Sequence, residues 1–156
     1  MNRKKTKIIL IAASILVIGF CLVAATFFGE KTDLYVAGEV RFSPDMQARA
    51  AGKSTLFIIL FDQESESSMP YAAYKTHVSD IKPQERVTFK LTKNNVQLMP
   101  AAMANKSLPA FFRVKARLDA DGIAGPDSPG DLVGESKDIP YGAKDKTILI
   151  DHAITE

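Results

Sequence analysis

The sequence predicts an all-β fold, an antiparallel sandwich of about seven short strands set behind one N-terminal transmembrane helix. Three observations carry this. Ile8 to Phe28 is a 21-residue run without a charged side chain. From Leu34 onward apolar residues recur with a period of two, the spacing that places them on one face of a strand. Clusters of Ser, Pro, Asp and Gly punctuate these stretches at short intervals, as turns between strands do.

The apolar run comes first in the chain. At 1.5 Å per residue a helix of this length crosses a hydrocarbon core of roughly 30 Å. Arg3, Lys4, Lys5 and Lys7 precede it and only Lys31 follows closely, so residues 1–7 are expected to stay in the cytoplasm and the remainder to lie outside. Val23-Ala24-Ala25 offers a small-residue cleavage site, but secretory signals have apolar stretches of only about 7 to 15 residues. Phe20 is bulky where a lipoprotein signal would carry a small residue before Cys21. The expectation is an uncleaved, single-pass signal anchor over residues 8–28 in a bacterial inner membrane. A short linker, 29–33, and one periplasmic domain, 34–151, follow.

The overall charge of +2 hides an asymmetry. Four of the 20 basic residues precede the apolar run and all 18 acidic residues follow it, so the domain itself is slightly acidic. It lacks the basic face that a nucleic-acid partner requires. The only cysteine, Cys21, lies within the apolar run. A domain without thiols suits an oxidising compartment.

Taken in order, Leu34, Val36, Gly38, Val40 and Phe42 alternate with Tyr35, Ala37, Glu39 and Arg41 as a half-buried strand, which Ser43-Pro44-Asp45 ends. Pro44 to Ala51 is the one helical piece, stopped by Gly52. Leu56 to Phe61 is apolar throughout and reads as a central strand covered on both faces. Asp62 to Ser68 is a polar loop. Tyr71 to Val78 is a further strand, closed by Ser79-Asp80 and Pro83. Val87, Phe89 and Leu91 alternate with Thr88 and Lys90. Phe112, Val114, Ala116 and Leu118 point one way, and Arg113, Lys115, Arg117 and Asp119 the other. Asp119 to Asp131, rich in Gly, Pro and Asp, is a long surface loop. Leu132-Val133 and Thr147 to Ile150 complete the set.

Catalytic chemistry finds little support. The domain holds only His77 and His152, no cysteine, and no nucleophile spaced with a base, so neither an enzyme nor a cofactor is expected. A metal site would have to join these histidines to Met69, Met99 or Met103, which lack ligand-like spacing. Asp119, Asp121, Asp127 and Asp131 share one loop but not the pattern of a calcium-binding hand, and read as a solvated acidic loop. What remains is a surface for a partner. Arg113, Lys115 and Arg117 form a period-two basic stripe that feeds into the long loop. Asp131 is placed to cap loop amides and to pair with Arg117. These four residues are the candidate partner-binding set.

Two groups of short motifs carry a resemblance. The first is Met69-Pro70-Tyr71-Ala72-Ala73, then Val78-Ser79-Asp80-Ile81-Lys82-Pro83, then Val87-Thr88-Phe89-Lys90-Leu91. The second is Val114-Lys115-Ala116-Arg117-Leu118, Asp121-Gly122-Ile123-Ala124, and Pro129-Gly130-Asp131-Leu132-Val133-Gly134-Glu135-Ser136. Over Leu34 to Ile150 the chain resembles the C-terminal periplasmic Ig-like domain of CycH-type (CcmI-type) cytochrome c maturation proteins. The resemblance implies an Ig-like sandwich and an accessory or assembly role in c-type cytochrome maturation. Its partners would be other maturation proteins or apocytochrome c. That family recognises apocytochrome largely through a helical tetratricopeptide region, whereas here Glu30 to Asp33 alone joins the apolar run to the first strand. The resemblance therefore bears on fold and pathway more than on direct substrate binding. The alternatives are a structural accessory subunit of a membrane respiratory or transport complex and, disfavoured by the scarce histidines, a cupredoxin-like metal carrier.

Overall fold

Two sheets form where the period-two pattern places them, with the apolar faces turned towards each other. The structure, a computed structural model, describes residues 33–66, 68–78, 86–104 and 107–155. The expected anchor, most of its linker and the Ser79 to Pro83 turn lie outside the described residues. Among the described residues no helix is long and apolar enough to cross a membrane.

In chain order the elements are β1 (Leu34–Phe42), α1 (Pro44–Arg49), β2 (Thr55–Asp62), β3 (Ala72–His77), β4 (Val87–Thr92), β5 (Gln97–Leu98), α2 (Pro100–Ala104), β6 (Phe111–Asp119), β7 (Leu132–Pro140), β8 (Ala143–Ile150) and β9 (His152–Ala153). One sheet has three strands in the order β4-β1-β8; the other has six in the order β5-β3-β2-β6-β7-β9. Val36, Val40, Phe89, Leu91, Ile148 and Ile150 of the first bury against Leu56, Ile58, Leu60, Phe112, Val114 and Leu118 of the second. α1 starts with Pro44, whose missing N–H costs nothing in a first turn, tucks Met46 into the core, and is followed by Gly52 at φ 80°.

The structure corrects the expectation of a purely antiparallel sandwich. β1 and β4 pair antiparallel, but β1 and β8 run parallel, from Val36 opposite Ala143 to Phe42 opposite Ile150. The reason is a change of sheet. β7 belongs to the six-stranded sheet, and the Tyr141–Gly142 turn carries the chain across so that β8 arrives beside β1. Gly142 takes φ 79° there and its amide donates to the Tyr35 carbonyl, 2.8 Å. Among the described residues the strands number nine rather than about seven. β5 and β9 are two residues each, too short to show any period.

Two bulges explain why β7 and β8 outrun the stretches legible as strand. Phe112 and Val114 of β6 oppose Ile139 and Ser136 of β7, so β7 carries one residue too many; Asp138 takes φ 54° within it. Likewise Val36 and Gly38 oppose Ala143 and Lys146, with Asp145 at φ 55°. An extra residue flips the alternation and hides a strand from a period-two reading. Gly38 and Gly134 sit where backbones approach closely. A Cβ on either would run into a carbonyl oxygen, that of Lys146 or of Leu149 respectively.

Candidate functional site

β2 lies between β3 and β6, and its outward side chains are as apolar as its inward ones. Antiparallel register lines them up in rows across the sheet: Lys75, Phe57, Arg117 and Val133 in one, and Gln97, Ala73, Ile59, Lys115 and Glu135 in the next. A Phe on an outer sheet face needs a cover, and basic side chains supply it. The Arg117 guanidinium stands 4.9 Å from the Phe57 ring centroid, the Lys75 ammonium 5.4 Å from the same ring, and the Arg113 guanidinium 4.0 Å from that of Phe61. The expectation that β2 is covered on both faces holds in this form.

Each cation of the expected stripe is paired within the chain. Arg113 donates to Glu135, 2.7 Å, and Lys115 to Asp127. Arg117, at 1% exposure, lies 3.0 Å from Asp119, 3.6 Å from Asp127 and 3.7 Å from Asp131, and donates to the Gly125 carbonyl at 2.7 Å. The distance to Asp131 is an ion-pair contact rather than a hydrogen bond, so Arg117 Nε has no hydrogen-bond acceptor. Asp131, equally buried, accepts from the amides of Ala120 and Ser128, both 2.9 Å, and Asp119 accepts from those of Asp121 and Gly122. Asp121 accepts from the Ile123 amide, 2.8 Å, which is the main cause of its carboxyl lying below the ordinary value. The Asp-rich loop is thus a set of carboxylates tied to backbone amides and to Arg117 and Lys115. Arg117 and Asp131 present no surface to a partner; they fix the loop against the sheet.

Fixed there, the loop makes one wall of a groove of about 250 Å³ on the outer face of the six-stranded sheet. Phe57, Ile59 and Ala73 form the floor, Ala124 and Gly125 the loop wall, and Pro70 and Met99 the far wall, with Asn95 and Gln97 at the rim. Lys75 reaches across to donate to the Gly122 carbonyl, 2.9 Å. Asn95 is held by its bonds to the Thr92 amide and the Lys90 carbonyl. Of this groove the sequence shows only that Leu56 to Phe61 is apolar on both faces. Asn95, Gln97 and Met99 meet Ala124 and Gly125 only through β5, which periodicity cannot reveal.

The remaining candidates stay apart. His77 is exposed at the end of β3. His152 lies in β9, with its ring 2.7 Å from the Asp151 carboxylate. Met69 and Met103 are largely exposed, whereas Met99 lines the groove. Among the described residues no three His, Cys, Asp or Glu side chains converge in a way that could hold a metal ion.

At the Asp33 end of β1 the Tyr35 ring packs edge-on against those of Tyr71, Phe112 and Tyr141, at 6.1, 6.1 and 5.8 Å. Burial, reinforced by Tyr35, pushes the Tyr71 hydroxyl up to about 12, and burial raises that of Tyr35 as well.

A family model described as the cytochrome c-type biogenesis protein H Ig-like domain matches residues 36–151. No curated protein and no solved structure matches the chain.

Proposed function

Since the chain belongs to the family of cytochrome c-type biogenesis protein H Ig-like domains, we propose that it is a membrane-anchored periplasmic accessory protein that works by protein binding in c-type cytochrome maturation. The groove on the outer sheet face is the observation that carries the binding half of this reading. Its floor is apolar, and its cations are already engaged, Lys75 by the Gly122 carbonyl and Arg117 by three carboxylates. Arg117 is compensated by its carboxylates, whereas Lys75, bonded to a neutral carbonyl, keeps its charge at the edge of the groove. The occupant that fits is an extended and largely apolar segment of a partner protein, either apocytochrome c or another maturation protein. Its backbone amides would meet the Gln97 side chain at the rim. Lys115, Arg117 and Asp131 serve this surface by positioning the loop wall, and a wall fixed in advance lowers the ordering cost of binding, while Arg113, paired with Glu135, covers Phe61. The anchor at residues 8–28 would keep the groove close to the membrane.

Deleting the gene and staining cell membranes for covalently bound haem tests the reading. Loss of stained c-type cytochromes, restored by the full chain supplied in trans, is expected. Undiminished staining in the deletion strain would remove this function from the protein.

A further inference from the structure

The large apolar side chains left open to solvent are not spread evenly. Among the described residues they are Met103 at 74% exposure, Ile123 at 67%, Leu108 at 55%, Met69 at 54%, Leu149 at 46% and Phe111 at 41%. Met69, Met103, Leu108 and Phe111 share one end of the sandwich, the end at which Asp33 leads into β1. Met69 is two residues from Tyr71, whose ring packs on that of Tyr35, and the Tyr71 carbonyl accepts from the Met99 amide at 3.0 Å. The Met99 carbonyl in turn accepts from the Met103 amide, 3.2 Å. Leu108 and Phe111 flank Ala110, whose carbonyl accepts from the Tyr141 amide at 2.9 Å, and the Tyr141 ring also packs on Tyr35. Single exposed apolar residues are ordinary, but four at one end of a small domain call for a cover.

We propose that this end of the domain seats on a lipid bilayer with neutral headgroups, with Met69, Met103, Leu108 and Phe111 entering the interface. This rests on the reading of residues 8–28 as a membrane anchor. Five residues, Gly29 to Asp33, connect the apolar run to β1, and a chain of that length spans at most about 18 Å. The surface that such a short tether brings to the membrane is the one carrying these four side chains. Charge selects the kind of lipid. Asp62 ends β2 and Glu64 and Glu66 follow it at the same end, where the Gln63 amide donates to the Phe111 carbonyl at 3.1 Å; Lys93, whose amide donates to the Asp33 carbonyl, brings a cation there. Carboxylates that outnumber this lysine beside the patch disfavour a strongly anionic surface. Seated this way, the domain holds the Pro70 and Met99 wall of the groove low and the Asp119 to Asp131 loop away from the membrane.

The test uses the full chain carrying Cys21→Ser, one chain per phosphatidylcholine nanodisc, with an environment-sensitive fluorophore at Met103→Cys, Leu108→Cys or, at the opposite end, Lys53→Cys. Quenching by neutral acrylamide at positions 103 and 108 should be several-fold weaker than at 53, and phosphatidylglycerol in the disc should reduce that protection. Equal quenching at all three positions, with the chain resisting alkaline extraction from cell membranes, overturns the seating and leaves the anchor standing. Release by alkaline extraction removes the anchor and the seating with it. Protection seen only with two chains per disc assigns the patch to a second copy and likewise overturns the proposal.

Discussion

Arg117 and Asp119 are neighbours on the outer face of β6, both almost wholly buried, with guanidinium and carboxylate 3.0 Å apart. Asp119 also accepts from the Gly122 amide, 2.5 Å, and Arg117 donates to the Gly125 carbonyl, so the pair grips the loop from both sides. A buried ion pair contributes little net stability by itself, but removing one member leaves the other desolvated and uncompensated.

Arg117→Met should therefore destabilise the domain by about 3 to 5 kcal/mol, because Asp119 and Asp131 are left buried without their cation. Lys115→Ala, which breaks a partly exposed pair with Asp127, should cost about 1 kcal/mol or less. Urea unfolding of the two variants checks the ranking. Equal losses would mean that Arg117 does not organise the loop.

Phe89 and Lys90 are adjacent on β4 and face opposite ways, one into the core and one into solvent. Phe89→Ala should cost about 3 to 5 kcal/mol, and Lys90→Ala no more than about 0.5 kcal/mol. Similar costs for both would contradict the face assignment of the three-stranded sheet.

Gly134 of β7 lies where a Cβ would meet the Leu149 carbonyl. Gly134→Ala must push β7 and β8 apart, at a cost of about 1 to 3 kcal/mol or more. Loss of amide protection in β8, read by hydrogen exchange, should accompany it. Unchanged protection would show that the two backbones are not in close contact.

The tyrosine cluster predicts an alkaline limit. Tyr71 titrates near 10 when unfolded and at about 12 when folded, chiefly because burial disfavours the phenolate. The unfolded chain alone loses this proton between those values, so the stability that the cluster contributes is intact below pH 10 and falls as pH rises towards 12. Unfolding free energy measured from pH 8 to 11 should decline, and Tyr71→Phe should flatten the decline. A variant declining as steeply as the parent would place the titrating group elsewhere.

How much of this was legible follows from how local each feature is. β1, β4 and β6 keep strict alternation, so Val40, Phe89 and Val114 announce themselves as core. The pairing of Arg117 with Asp131 and the capping role of Asp131 could be anticipated from Gly and Pro fixing the loop next to a charged strand. The bulges at Asp138 and Asp145 broke the alternation and masked most of β7 and β8. The parallel pairing of β8 with β1 depends on a change of sheet at Gly142, which no local pattern encodes. The basic stripe was visible, but its neutralisation by Glu135 and Asp127 needed the register of β7 and the fold of the loop. The groove needed both, together with a two-residue strand.

The most direct test of the central claim is to fill the groove without touching the core. Ala73 lies on the outer face of β3, opposite Ile59 and Gln97, and forms part of the floor. In the deletion strain, the chain carrying Ala73→Tyr should accumulate and resist urea as the parent does, yet restore haem-stained c-type cytochromes to a level several-fold lower. Full restoration of haem staining by this variant would contradict the account.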